Sequence, residues 1–321
     1  MTGSTVLVLT GGVGGAKLAL GLADSLPPGQ LHALVNTGDD FRHLGLHISP
    51  DIDTLIYTLS GRANAEQGWG LAGESWNVMD ALEELGGETW FRLGDRDLAT
   101  HLWRSARLAA GESLAAVTGE LARRFGVDSR IHPMSNDPVR TRVKTPEGDL
   151  PFQAYFVGRR CEPRVEAVAF DGIGQARANP ALFALLADSA LDLIVLCPSN
   201  PFLSLDPVLR VPGVWRALAA APVPVVAVSP IVGGNAIKGP TARIMQELGL
   251  AVSASGVAAY YQEQYPGLLN HFIVDDVDSN ETDVLRSMGL AVSTAPTVMR
   301  SRADKRDLAQ FILDQHGVAA R

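Results

Sequence analysis

Thr5-Val-Leu-Val-Leu-Thr10 followed by Gly11-Gly12-Val13-Gly14-Gly15-Ala16-Lys17 is the stretch that decides the fold. Thr5 to Thr10 is an unbroken β-branched and aliphatic run, the pattern of a strand buried on both faces. The run breaks into glycines, and Leu18 and Leu22 follow at helical spacing. Leu31 to Val35 reads as the next strand and opens into Asn36-Thr37-Gly38-Asp39-Asp40. A glycine loop that feeds a helix N-terminus offers backbone N–H groups to an anion. Carboxylates this close would repel a phosphate unless a metal or a hydroxyl lies between them.

The loop is not a Walker A motif, which needs Gly before its Lys and Ser or Thr after it; here Lys17 lies between Ala16 and Leu18. Gly12-Val13-Gly14 begins the dinucleotide pattern, but Lys17 takes the third glycine position and Asn36 stands where the ribose-binding acid is expected. A tight strand-to-helix turn needs some glycine in any α/β protein. Four glycines in five positions exceed that need, which points to a ligand, although not to a nicotinamide cofactor.

Working outward, Leu193–Cys197 and Val225–Val228 are further buried parallel-type strands, Phe272–Val274 is another, and Ala291–Thr294 is a short last one. Helical patterns separate them, at 180–188, 241–248, 257–264, 280–288 and 303–315. Alternating strands and helices predict a doubly wound, mostly parallel, Rossmann-like α/β sheet. Between residues 62 and 164 the chain is mainly helical, with Trp76, Met79, Leu82 and Leu85 on one stripe and a helix after the N-cap candidate Ser113. Short alternating segments at 131–145 and 150–157 flank Glu147-Gly148-Asp149 and suggest a hairpin. The expected organisation is an α/β core, 1–61 and 165–321, with 62–164 inserted as a mainly helical cap with a hairpin.

The chain has 321 residues, a hydrophobic content of 46% and a charged content of 19%, which suits a globular protein with a sizeable core. A net charge of −8 argues against nonspecific nucleic-acid binding. Two cysteines, Cys161 and Cys197, give neither a disulfide framework nor metal-ligand spacing. No apolar run reaches membrane-spanning length, so the expectation is a cytoplasmic protein without membrane contact.

In an open parallel sheet, ligands bind beyond the carboxyl ends of the strands. Four such ends carry unusual loops: the glycine loop, Asn36–Asp40, Pro198-Ser199-Asn200-Pro201, and Ser229 to Pro240 with Gly234 and Lys238. Any one could be a turn rich in turn formers; four on one edge describe a nucleotide-sized cleft. Asp39, Asp40, Asp51 and Asp53 form an acidic group, and Mg²⁺ takes one or two protein carboxylates beside substrate phosphates. Asp39 with Asp53 is the expected metal pair, while Asp51 or Asp53 also suits the start of a helix after Pro50. Asp97 and His101 lie four apart on a helix, a pair that alone reads as capping or solvated surface; Ser135 and Asp137 lie in a polar turn before Arg140, Arg142 and Lys144, a series that alone reads as a solvated strand face.

In order, GGVGGAK (Gly11–Lys17), NTGDD (Asn36–Asp40), SPDIDTLIYTLSG (Ser49–Gly61), GWGLAGESW (Gly68–Trp76), LGDRDLATHL (Leu93–Leu102), PMSNDPVRT (Pro133–Thr141), PSNPFLSLDPVL (Pro198–Leu209) and SPIVGGNAIKGP (Ser229–Pro240) resemble the 2-phospho-L-lactate transferase family of deazaflavin coenzyme F-420 biosynthesis. The resemblance implies transfer of a phospho-three-carbon-acid unit, phospholactyl or phosphoenolpyruvyl, from a guanosine diphosphate ester to the ribityl hydroxyl of the deazaflavin FO, with release of GMP. It further implies Mg²⁺ on Asp39 and Asp53, the Gly11–Gly15 amides and Lys17 on the diphosphate, and Asp40 or Asp51 at the attacking hydroxyl. Ser199, Asn200, Gly234 and Lys238 would take the guanosine, and Asp97, His101, Ser135 and Asp137 would cover the deazaflavin. A homodimer is the family's expected assembly. A nucleotide-sugar-binding regulator of the same fold is the competing reading, and it would need neither LGDRDLATHL nor an FO pocket.

Overall fold

The computed structural model describes residues 4–64 and 67–320. At its centre is a seven-stranded sheet in which every pairing is parallel. In chain order the strands are β1 (Thr5–Thr10), β2 (Leu31–Val35), β3 (Arg130–Pro133), β4 (Leu191–Leu196), β5 (Val225–Val228), β6 (His271–Val274) and β7 (Ala291–Thr294). In space they run β7-β6-β5-β4-β1-β2-β3. The chain therefore builds from β1 to β3 on one side, returns to the other side of β1, and builds outward to β7. This is the expected doubly wound sheet, with its switch point between β1 and β4.

The unbroken apolar run of β1 is explained by burial on both faces. Val6 and Val8 join one core cluster, while Leu7 and Leu9 join the other, because successive side chains point to opposite faces. Helix α1 (Gly12–Ser25) lays Leu18 and Leu22, both fully buried, on the first of these layers. Burying each contributes about 1.5–3 kcal/mol. The C-terminal helix Arg302–Gln315 packs beside α1, and a side chain at Gly21 would collide with the Lys305 carbonyl.

Among the described residues, four helices follow β2 before β3: α2 (Pro50–Leu59), α3 (Asn77–Glu84), α4 (Asp95–Ala109) and α5 (Leu114–Arg124). Ser113 does cap α5, accepting from the Ala116 N–H at 3.2 Å. The starts of α3 and α4 cap each other. Glu74 accepts from the N–H groups of Arg96 and Asp97, both at 2.8 Å, and Asp95 accepts from those of Asn77 and Val78. GWGLAGESW and LGDRDLATHL thus meet through the free amides that every helix start leaves.

The structure corrects the expected boundary of the insertion. Residues 62–164 supply β3, which pairs in parallel with β2 through Ala33 and Ile131, so that stretch belongs partly to the core. As an edge strand, β3 buries only alternate residues, Ile131 and Pro133, and its sequence therefore looks like a hairpin arm rather than a core strand. The hairpin itself exists one step later, Arg140–Thr145 with Gly148–Pro151, and Ala167–Asp171 adds a third antiparallel strand. Its second arm stops at Pro151, and Ala154–Gly158 is a helical turn instead of strand. A small hairpin, Phe41–His43 with Leu46–Ile48, was not foreseen; Leu44 and Gly45 both take positive φ at its tip.

Among the described residues no helix is long and apolar enough to cross a membrane.

Candidate active site

A cavity of about 650 Å³ opens at the switch point. Of the expected residues it is lined by Gly11, Gly12, Val13, Gly14, Lys17, Asp39, Asp51, Ser199, Asn200 and Lys238. The glycines are there chiefly because the β1 and β4 loops touch. A Cβ at Gly14 would stand 2.6 Å from the Pro198 carbonyl oxygen, and one at Gly11 would stand 2.5 Å from Asp51 Oδ2 and 2.7 Å from Ser204 Cβ. Gly15, which does not line the cavity, abuts Thr10 and Ser199. Ser199 ties the loops together, donating from Oγ to the Gly11 carbonyl at 2.8 Å.

Asn36 does the organising work of the absent ribose acid. Its Nδ2 donates to Asp51 Oδ2 at 2.9 Å and to the Leu203 carbonyl at 3.1 Å, and its Oδ1 accepts from the Gly38 N–H at 2.7 Å. Asp51 in turn accepts from the Gly12 N–H at 2.8 Å. Burial pushes the Asp51 carboxyl up to about 6. Asp39 is buried with an Oδ1 that has no hydrogen-bond partner among the described residues, and burial together with the Asp51 carboxylate raises it well above the usual range. Two carboxylates thus share one wall of the cavity, with no basic side chain bonded to either among the described residues. Two lysines share another. Lys17 donates to the Met299 carbonyl at 2.8 Å, and its ammonium is pushed down by burial and by the charges of Lys238 and Lys305. Like charges held together this way favour an anion between them.

The other acidic residues face elsewhere. Asp40 lines a second cavity of about 700 Å³ with Thr37, Asp137 and Arg140, and its Oδ2 accepts from Ser49 Oγ at 2.8 Å and pairs with His47 Nε2 at 2.9 Å. Asp53 is not brought to Asp39. It lies two residues after Asp51 on α2, about 200° around the helix, where the Arg104 guanidinium grips both of its oxygens. Asp53, Asp97 and His101 could offer ligand atoms within 4.8 Å of one another. Arg104 already fills the place of a cation there, so this triad does not suit a metal.

Asp97 accepts from Tyr57 Oη at 2.6 Å, and His101 lies in the same buried network, not against either cavity. Ser135 is fully buried and donates to the Arg177 carbonyl at 2.7 Å. Asp137 is held below the carboxylate range, at about 2, by two hydrogen bonds from the Arg177 guanidinium and one from its N–H. Gly234 serves a two-residue hairpin turn with φ +72° and lies off the cavity.

Sequence reasoning passed over the aromatic rim. Trp69, Trp90, Phe91, Phe152 and Phe156 line the cavity, and Trp69, Trp90, Phe156 and Ile237 remain 47%, 41%, 39% and 52% exposed. Exposed large apolar side chains gathered at one mouth mark a binding surface. The available signal was tryptophan in loop-like segments, Gly68-Trp69-Gly70 and Thr89-Trp90-Phe91.

Fold and site together define an α/β protein whose glycine loop, paired lysines and paired carboxylates face one aromatic-rimmed cleft. The family model for 2-phospho-L-lactate transferase CofD matches residues 6–304, and the chain belongs to this transferase family. It is 38% identical to a 2-phospho-L-lactate transferase of Methanosarcina acetivorans over 96% of this chain and 98% of that one. It is 40% identical to a phosphoenolpyruvate transferase of Streptomyces griseus over 92% of each. Among solved structures, a UPF0052-family protein of Bacillus halodurans has the same fold, with a TM-score of 0.65 and 16% identity over 98% of this chain and 99% of that one.

Proposed function

We propose that this chain transfers a phospho-three-carbon-acid unit from a guanosine diphosphate ester to the ribityl hydroxyl of the deazaflavin FO. The observation that carries the reading is the convergence of Lys17, Lys238, Asp39 and Asp51 on one aromatic-rimmed cavity. The names of the relatives support both candidate acids, lactate and enolpyruvate. Their difference is a few atoms, within what one or two pocket side chains discriminate.

The donor diphosphate lies on the glycine loop, with Lys17 and Lys238 balancing its charge. The hydroxyl oxygen of the acceptor forms a bond to the phosphorus beside the three-carbon unit. The bond from that phosphorus to the bridging oxygen breaks, and GMP leaves with the electron pair. A carboxylate of the Asp39–Asp51 pair takes the hydroxyl proton. Such transfers depend on positioning and charge balance more than on covalent catalysis. Asp39 and Asp51 fit Mg²⁺, because they offer hard oxygen donors, one of them without a partner, and the metal would neutralise charge on the diphosphate. Asp51 therefore takes the role expected of Asp53.

Incubation with FO, Mg²⁺ and each guanosine diphosphate ester, followed by chromatography for GMP, tests the proposal. GMP release that requires FO is expected. Its absence with every donor overturns the reading in favour of a ligand-sensing role.

A further inference from the structure

Arg104 is fully buried, and it reaches from α4 to α2. Its Nη1 donates to Asp53 Oδ2 at 3.0 Å, its Nη2 to Asp53 Oδ1, and Nη1 also contacts His101 Nδ1 at 3.2 Å. That last contact requires an unprotonated Nδ1 and turns the Nε2 of His101 toward Asp97 Oδ1, 3.3 Å away. Tyr57, four residues after Asp53, closes the set by donating to Asp97. The clasp has two levels: the first turn of α2 is held by the middle of α4, and the second turn of α2 by the first turn of α4. Burial works against the charge of Arg104, and Asp53, with smaller contributions from Tyr57 and Asp40, more than compensates.

Buried ion pairs of this kind contribute little stability compared with apolar side chains of the same volume. A role in orientation accounts for the arrangement better. The side of α2 opposite Asp53 carries Asp51, whose oxygens hold the Gly12 N–H and Asn36 at the cavity wall. A helix turn gripped at one side has its other side set in rotation, since residues two apart stand about 200° apart. The same helix α4 also reaches the second cavity wall, where Ser105 Oγ accepts from the His47 N–H at 2.7 Å and His47 holds Asp40.

We propose that Arg104 is a positioning residue, which by gripping Asp53 sets the rotation of the first turn of α2 and so delivers Asp51 to Gly12 and to the cavity. Arg104 lines neither of the two cavities described above, and its effect on turnover, though not on geometry, rests on the transferase reading.

The test uses the full chain and the double variant Asp53→Leu/Arg104→Met, which removes both charges and keeps the volume. The Gly12 amide shift in the NMR spectrum reports the bond to Asp51, with Asp51→Ala defining its absence. In the folded double variant this shift is expected to move toward the Asp51→Ala value, and kcat to fall about a hundredfold, the cost of misplacing a reacting group by an ångström. Arg104→Lys keeps the charge but not the fork and should move the shift part of the way. A folded double variant with the wild-type Gly12 shift overturns the proposal. Because the shift needs no turnover, that result is distinct from failure of wild-type protein to release GMP.

Discussion

Asp51 and Asp53 occupy opposite sides of one helical turn, and each is committed to a different partner. Asp51 faces Gly12 and the cavity, whereas Asp53 faces Arg104 and the protein interior. Two carboxylates that look equivalent in sequence therefore differ in chemistry, because the helix between them allows only one to reach the cleft.

Asp39→Asn is expected to reduce turnover by about two orders of magnitude or more, the scale of losing one charge-stabilising group at a transfer site. The fold should not suffer. Asp39 has a raised carboxyl pKa in the folded chain, so its contribution to stability is present below the ordinary carboxylate range and lost as pH rises through the raised value. At pH 7 in a chelating buffer, the amide should leave the thermal midpoint unchanged or higher, as calorimetry would register. Wild-type rates in this variant would refute the assignment.

Lys17→Met tests the anion site. The variant keeps the aliphatic stem and removes the charge, and a hydrogen bond to a charged group is worth about 1.5–3 kcal/mol. Titration calorimetry with GDP should show affinity lowered by roughly tenfold or more. Equal affinity would place the phosphates elsewhere.

Trp90→Ala addresses the rim. If the deazaflavin ring stacks there, KM for the acceptor should rise about threefold to tenfold, the equivalent of 0.5–1.5 kcal/mol for an aromatic pair. KM for the guanosine ester should stay constant. The reverse pattern in steady-state kinetics would assign the rim to the guanine instead.

Away from the site, His271 and His316 share a hydrogen bond, Nδ1 to Nε2, at 3.0 Å. One ring must supply the proton and the other the lone pair, so the pair does not tolerate double protonation. Burial, then the neighbouring His316, pushes His271 from 6.5 down to about 4. A folded-state histidine pKa below the unfolded one gives stability that is present above 6.5 and lost as pH falls toward 4. Urea midpoints should therefore drop across that interval, and less steeply in His271→Gln/His316→Gln.

The central strands were legible because burial on both faces writes a continuous apolar run, as in Thr5–Thr10 and Leu193–Cys197. Arg130–Pro133 was not, since an edge strand with one half-open face writes the same alternation as a surface hairpin. At the site, residues fixed by backbone position were readable, among them Gly11 to Gly14 and Ser199, which follow directly from strand ends. Asp53, Asp97 and His101 were drawn toward the site by their chemistry, but their partner Arg104 carries no sequence signal that it lies inside. The aromatic rim escaped because single tryptophans have no period.

The place of β3 in the sheet bears on any attempt to exchange this part of the chain between scaffolds. Residues 62–164 are not a cassette. Excising them would take away the outer neighbour of β2 and leave its N–H and C=O groups as an open edge, a template for self-association. Chimeras that exchange this stretch would have to carry β3 and its junction with Met134 as a unit, or rebuild the margin of the sheet on which Asn36 to Asp40 depend.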